Sequence, residues 1–83
     1  MFLEILTPEK KLFSDTVYGV QLPGVDGSFE VLDKHASMVA ALKKGTLKIL
    51  INKTTSQGYA IASGFVEILA NNVSVLVEGA EIL

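Results

Sequence analysis

GFVEILANNVSVLVE, residues 64–78, decides how the rest of this chain is read. In its second half Val73, Val75 and Val77 fall on one face, with Ser74, Leu76 and Glu78 on the other. That period of two marks a strand with one buried face. The preceding FVEILA is equally strand-like, being rich in β-branched and aromatic residues. Between the two lies Asn71-Asn72. Asparagine tolerates positive φ, so this pair is expected to form a two-residue hairpin turn.

The same period runs outward along the chain. In GTLKILIN, Leu47, Ile49 and Ile51 lie opposite Thr46, Lys48 and Asn52. LEILT, DTVYGVQL, SFEVL and YAIAS also read as strands. Turn signals separate them: PGVDG, NKTTSQG, a break at Gly64, and Gly79. Short strands at close spacing predict an all-β fold, a flattened β-sandwich or barrel. One segment is ambiguous. DKHASMVAALKKG, residues 33–45, fits a short helix with Asp33 as N-cap, Lys43 and Lys44 in the last turn and Gly45 as the stop. Alternation fits too, with Met38, Ala40 and Leu42 opposite Val39 and Ala41. Local propensity alone puts helix slightly ahead. Leu50, Leu76 and the MVAAL run place apolar residues on a second strand face. Such residues imply either the tight curl of a small barrel or a protein–protein interface.

Eighty-three residues are read as one small domain, 1–83, with a thin core. No cysteine is present, so no disulfide or thiolate metal site is expected. Net charge is −2, and every cation is lysine. The lack of arginine, the bidentate reader of phosphate and guanine, counts against nucleic-acid binding. All seven lysines lie at or before Lys53, while the residues after it carry only Glu67, Glu78 and Glu81. No apolar run approaches the roughly 18 residues of a membrane span, so no direct membrane insertion is expected. The start, MFLEILTPEKK, has neither the basic region nor the small-residue cleavage site of a signal peptide.

Catalysis needs convergent titratable groups, and the chain offers one histidine. Ser28 and His35 are read as an ordinary loop serine and an exposed histidine rather than as nucleophile and base. Asp26, Glu30 and Asp33 lack the spacing of a calcium loop. GVDG lacks the Gly-Lys-Ser/Thr ending of a phosphate loop and leads into a strand rather than a helix. No catalytic, cofactor or metal site is therefore expected. In LPGVDGSFEVLDKH, residues 22–35, Pro23 is expected to end a strand, and Gly24 with Asp26-Gly27 permits a tight reversal. Its charges and histidine then sit near a loop tip, where binding residues concentrate. A second hairpin tip presents Lys53, as a swinging-arm carrier would, but its flanks are Asn52 and Thr54 rather than acidic residues or methionine.

The order of motifs resembles a known family. TPE followed by LFS, then LPGVDGSF, the pair His35-Ala36, and GFVEILANNVSVLVE are similar, in order and spacing, to the N-terminal domain of the epsilon subunit of F-type ATP synthase. The resemblance covers essentially the whole chain. It implies a flattened β-sandwich of about ten short strands. It implies a non-catalytic rotor subunit at the foot of the central stalk, coupling proton or sodium flow to ATP synthesis. The partners implied are the gamma subunit and the membrane-embedded c-ring. The implied location is peripheral, on the cytoplasmic face of a bacterial membrane or the stromal face of an organelle. Carried over by position, c-ring docking falls to Ser28, Phe29, Glu30 and His35, and the gamma interface to Thr7, His35, Met38, Ala40 and Leu42. The turn around Ser28 and the loop carrying His35 are expected to meet in space as one docking surface. The resemblance also favours loop and strand, not helix, for the ambiguous segment.

Two departures stand out. The family commonly has Pro-Gly before the histidine and Ala-Pro after it; here the residues are Asp33-Lys34 and Ala36-Ser37. The usual subunit continues into a C-terminal helical hairpin, whereas this chain stops at Ile82-Leu83, as a naturally short subunit or a truncated piece. The alternative function is a free-standing small β module that binds a ligand or acts as a carrier.

Overall fold

The computed structural model describes all 83 residues and contains strands, turns and loops but no helix. Ten strands form: β1 (Phe2–Leu6), β2 (Lys11–Thr16), β3 (Gly19–Gly24), β4 (Gly27–Leu32), β5 (Met38–Leu42), β6 (Gly45–Leu50), β7 (Ser56–Ile61), β8 (Ser63–Leu69), β9 (Asn72–Glu78) and β10 (Glu81–Ile82). They belong to one hydrogen-bonded sheet in the order β10-β7-β6-β3-β5-β8-β9-β1-β2, with β4 paired to the other edge of β3. All the neighbouring pairs are antiparallel except β1 with β9.

The sheet folds over at β3. Gly19, Val20 and Gln21 pair with β6, whereas only Gly24 pairs with β5. Two backbone hydrogen bonds extend that corner: Val25 N–H donates to the Ala41 carbonyl at 3.1 Å, and Lys43 N–H to the Pro23 carbonyl at 2.8 Å. The result is two layers around one core, β4-β3-β6-β7-β10 facing β5-β8-β9-β1-β2. Strands feed the core by alternation. Leu47 and Ile49, Val66 and Ile68, and Val73, Val75 and Val77 all point inward, and each is at most 2% exposed. Seventeen apolar side chains make up this cluster, and no polar side chain is buried. Hydrophobic burial, not polar networking, therefore holds the layers together.

Three local expectations are corrected. The helix expected from propensity across residues 33–45 does not form: Met38–Leu42 is a strand. All five of its residues pair with β8, from Met38↔Ile68 to Leu42↔Gly64, and this non-local pairing outweighs the helix preference of two alanines and a leucine. The β8–β9 turn is Ala70-Asn71 rather than Asn71-Asn72, because Leu69 pairs with Asn72. Both turn residues have positive φ, 51° and 63°, as a type I′ hairpin requires. Pro23 and Gly64 do not end strands. Pro23 sits inside β3 opposite Ser28, and Gly64 sits inside β8, where β8 and β9 approach closely.

Candidate functional site

The β3–β4 hairpin turns through Val25-Asp26, with Gly24 facing Gly27. Gly27 has φ of 130°, a conformation that favours glycine. Gly24 is held by a different constraint: a Cβ there would lie 2.7 Å from the Gly27 carbonyl oxygen and 2.9 Å from the Phe29 ring. The bare backbone lets Phe29 fold over the turn. Beyond it, β4 alternates, with Val31 fully buried while Ser28 and Glu30 face solvent. The Glu30 carboxylate accepts a 2.8 Å bond from the Gln21 side-chain amide on β3.

A groove of about 360 Å³ runs between this hairpin tip and β5. It brings together Phe29, Met38 and Ala40, with Val25, Val39 and Ala41 at its sides. The structure does not bring Ser28 and His35 together. They lie at opposite ends of β4, separated by a strand of about 3.3 Å per residue. Thr7 lies elsewhere, in the β1–β2 turn. Its hydroxyl donates to the Lys10 carbonyl at 3.1 Å and accepts from the Lys10 N–H at 3.0 Å. Leu42 points into the core at 4% exposure, and Met38 and Ala40 are half-buried against it.

The exposed face of β5 is instead Val39 and Ala41. Register carries that face across the second layer: Ala41 lies opposite Phe65, Phe65 opposite Leu76, and Leu76 opposite Leu6. Four strands thus contribute one apolar row on the outside of the sandwich. Phe65 is 45% exposed, Leu76 53% and Val39 57%. A concavity of about 390 Å³ at the end of the row is lined by Leu6, Pro8, Phe65 and Leu76. Sequence reasoning flagged Leu76 but missed Phe65. The missing signal is cross-strand register, which no single strand displays.

His35 is half-buried in the loop between β4 and β5. Its Nδ1 lies 2.8 Å from the Ala36 carbonyl oxygen, which ties the ring to its own loop. The loop opens with a four-residue turn closed by His35 N–H to the Leu32 carbonyl at 3.2 Å. Its third residue, Lys34, has φ of 64°, and its N–H donates to Asn71 Oδ1 at 3.0 Å. Asp33 Oδ1 accepts from the Met1 ammonium, which also donates to the Val17 carbonyl. That ammonium, with smaller help from Asn71 and Lys34, holds the Asp33 carboxyl below its ordinary value. No group of three or more acidic, histidine or cysteine side chains is placed to hold a metal ion.

Residues 1–82 match the model of the ATP synthase delta/epsilon chain β-sandwich domain. The chain belongs to that family. Among its epsilon-chain relatives, that of Campylobacter fetus is 47% identical over 78 residues, 94% of this chain and 60% of the relative. That of Protochlamydia amoebophila is 39% identical over 95% of this chain, which spans 54% of the relative's length. The Chlorobium limicola epsilon chain is 37% identical over 92% of this chain and 86% of its own length, so it is itself only slightly longer. One solved structure, from the Euglena gracilis mitochondrial ATP synthase, superposes with a TM-score of 0.90 over 96% of this chain and 51% of that one. At 20% identity this likeness concerns the fold alone. The epsilon-type sandwich accounts for the two-layer architecture and for the expected all-β class.

Proposed function

We propose that this epsilon-type domain is a rotor coupling part that joins the gamma subunit to the c-ring and carries no catalytic group. The observation that carries the reading is the exposed apolar row Ala41–Phe65–Leu76–Leu6 on the second layer, on a sandwich whose first layer turns polar Ser28 and Glu30 outward. A torque-transmitting domain needs two separate contact surfaces on one rigid body. The apolar row suits a large dry interface, where burial contributes about 25 cal/mol per Å². We assign it to gamma, with Thr7 and the Met38–Ala40 strand at its borders. The hairpin with Ser28, Phe29 and Glu30 suits the polar loops of a c-ring. Its contacts are individually weak, about 0–1 kcal/mol for an exposed charge pair, and act together. His35, its Nδ1 turned to the Ala36 carbonyl, lies at the other end of β4 and fits the gamma side or a second c-ring contact.

This reading places the domain peripherally on a membrane, as part of an ATP synthase. The epsilon-chain name of the relatives supports it. The test is the affinity of purified chain for gamma. Phe65→Glu is expected to weaken it by about 2 kcal/mol or more, as loss of an interface anchor does, while the far-ultraviolet spectrum stays strand-like. Unchanged affinity for both Phe65→Glu and Leu76→Glu would remove the row from the gamma interface.

A further inference from the structure

The loop that carries His35 lacks the residues that would make its shape automatic. Lys34 occupies the third position of the Leu32–His35 turn at a φ of 64°, where glycine is the usual occupant. A β-carbon in this region is unfavourable, and an outside contact offsets that cost. That contact comes from Asn71, 37 residues away in the β8–β9 turn, whose side-chain oxygen accepts the Lys34 N–H at 3.0 Å. Asn71 is itself left-handed, φ 63°, and its carbonyl accepts the Phe2 N–H at 3.2 Å. One residue earlier, Asp33 meets the Met1 ammonium. Two other chain segments, the N-terminus and the β8–β9 turn, thus close on the two residues that stand where the family commonly has Pro-Gly.

We infer that Asn71 is a positioning residue for docking: its side chain latches Lys34 in the left-handed turn and so fixes where His35 is presented to the rotor partner. This rests on the docking reading above. The latch substitutes for a backbone preference. Pro-Gly would give the turn its shape from inside the loop, whereas Asp33-Lys34 takes it from the neighbouring hairpin. Lost rigidity would cost affinity, because the loop would then be ordered only on binding.

Asn71→Gly separates the latch from the hairpin. Glycine accepts the turn's positive φ, and Ala-Gly suits the second position of a type I′ turn, so β8 and β9 stay paired. The side-chain acceptor for Lys34 is removed, together with the lesser contact that Asn71 makes to the Asp33 carboxyl. Amide exchange by NMR should then quicken about five-fold at Lys34, the effect of one lost neutral hydrogen bond, with β8 and β9 amides unchanged. Affinity for the assembled gamma–c-ring rotor should fall by a similar factor. Adding Lys34→Gly, which adopts the turn unaided, should restore the affinity without restoring the bond. Unchanged exchange at Lys34 would show that no latch exists. Faster exchange with unchanged affinity would make Asn71 merely structural. Failure of the unsubstituted chain to join the rotor at all would overturn the docking reading itself and, with it, the role given to Asn71.

Discussion

Leu76 lies directly opposite Phe65 in the β8–β9 ladder, and both side chains face solvent. Their neighbours Val66 and Val75 pair on the inner face and are fully buried. One ladder therefore carries core on one side and an unpartnered apolar surface on the other. Phe65→Ser and Leu76→Ser should each cost only about 1 kcal/mol, the loss of a half-exposed cross-strand pair, since neither leaves a buried cavity. Val66→Ala should cost about 1–3 kcal/mol through lost burial and a residual void. Urea titration of the three variants checks the contrast.

Strand alternation makes the same distinction within β5. Val39 is exposed, while Met38 packs against the core. Val39→Lys should fold as the parent chain does, since the new side chain faces Glu67 across the β5–β8 ladder. Met38→Asp should lose about 1–3 kcal/mol, because it turns a partly buried apolar contact into a charged group short of water. Thermal unfolding compares them directly, and equal midpoints would contradict the orientation of β5.

Ala70 has a φ of 51° in the β8–β9 turn, a conformation that costs a β-carbon about 1 kcal/mol. Ala70→Gly should therefore stabilise the chain by about 0.5 kcal/mol, after allowing for the greater freedom of glycine in the unfolded state. A lower urea midpoint for this variant would contradict the I′ assignment.

Gly64 answers to space rather than to φ. A Cβ there would lie 2.6 Å from the Leu76 backbone oxygen, an atom fixed in the β9 ladder. Gly64→Ala should cost about 1–3 kcal/mol by forcing the strands apart. Faster amide exchange confined to the β8–β9 ladder would locate the strain.

Asp33 supplies a pH dependence of known sign. The Met1 ammonium holds its carboxyl below the ordinary value of 3.8. A carboxyl depressed in the folded state contributes stability that is fully present above its unfolded value. That contribution is lost as pH falls through the lower folded value. Asp33→Asn should therefore lose stability less steeply than the parent as pH falls below the ordinary carboxyl value, and the two should run parallel well above it. Acid titration followed by circular dichroism measures the difference.

Most strands were legible because their inward residues are β-branched or leucine at strict alternation, as in Leu47 and Ile49 or Val73, Val75 and Val77. β5 was not, because its alanines and leucine favour helix locally and its strand state comes from pairing with β8. The β8–β9 turn was placed one residue late because asparagine is the usual left-handed residue, and here alanine shares that conformation. The candidate site was legible only in part. The hairpin tip at residues 24–27 and the exposure of Ser28 and Glu30 follow from turn residues and alternation. The apolar row joins Ala41, Phe65, Leu76 and Leu6 through register, and the Lys34–Asn71 contact spans 37 residues, so neither shows in a local pattern.

Disulfide cross-linking in an assembled ATP synthase tests the two-surface account most directly. Cysteine would replace Phe65 in one variant, Ser28 in a second, and Lys53 in the exposed β6–β7 turn as a site assigned to neither surface. Partner cysteines would be placed in gamma and in the polar loops of the c-ring. The account predicts that Phe65→Cys captures gamma, Ser28→Cys captures the c-ring, Lys53→Cys captures neither, and ATP-driven ion pumping survives both bonds because the joined parts turn together. Silence at Phe65 and Ser28, or bonds that stop rotation, would contradict it.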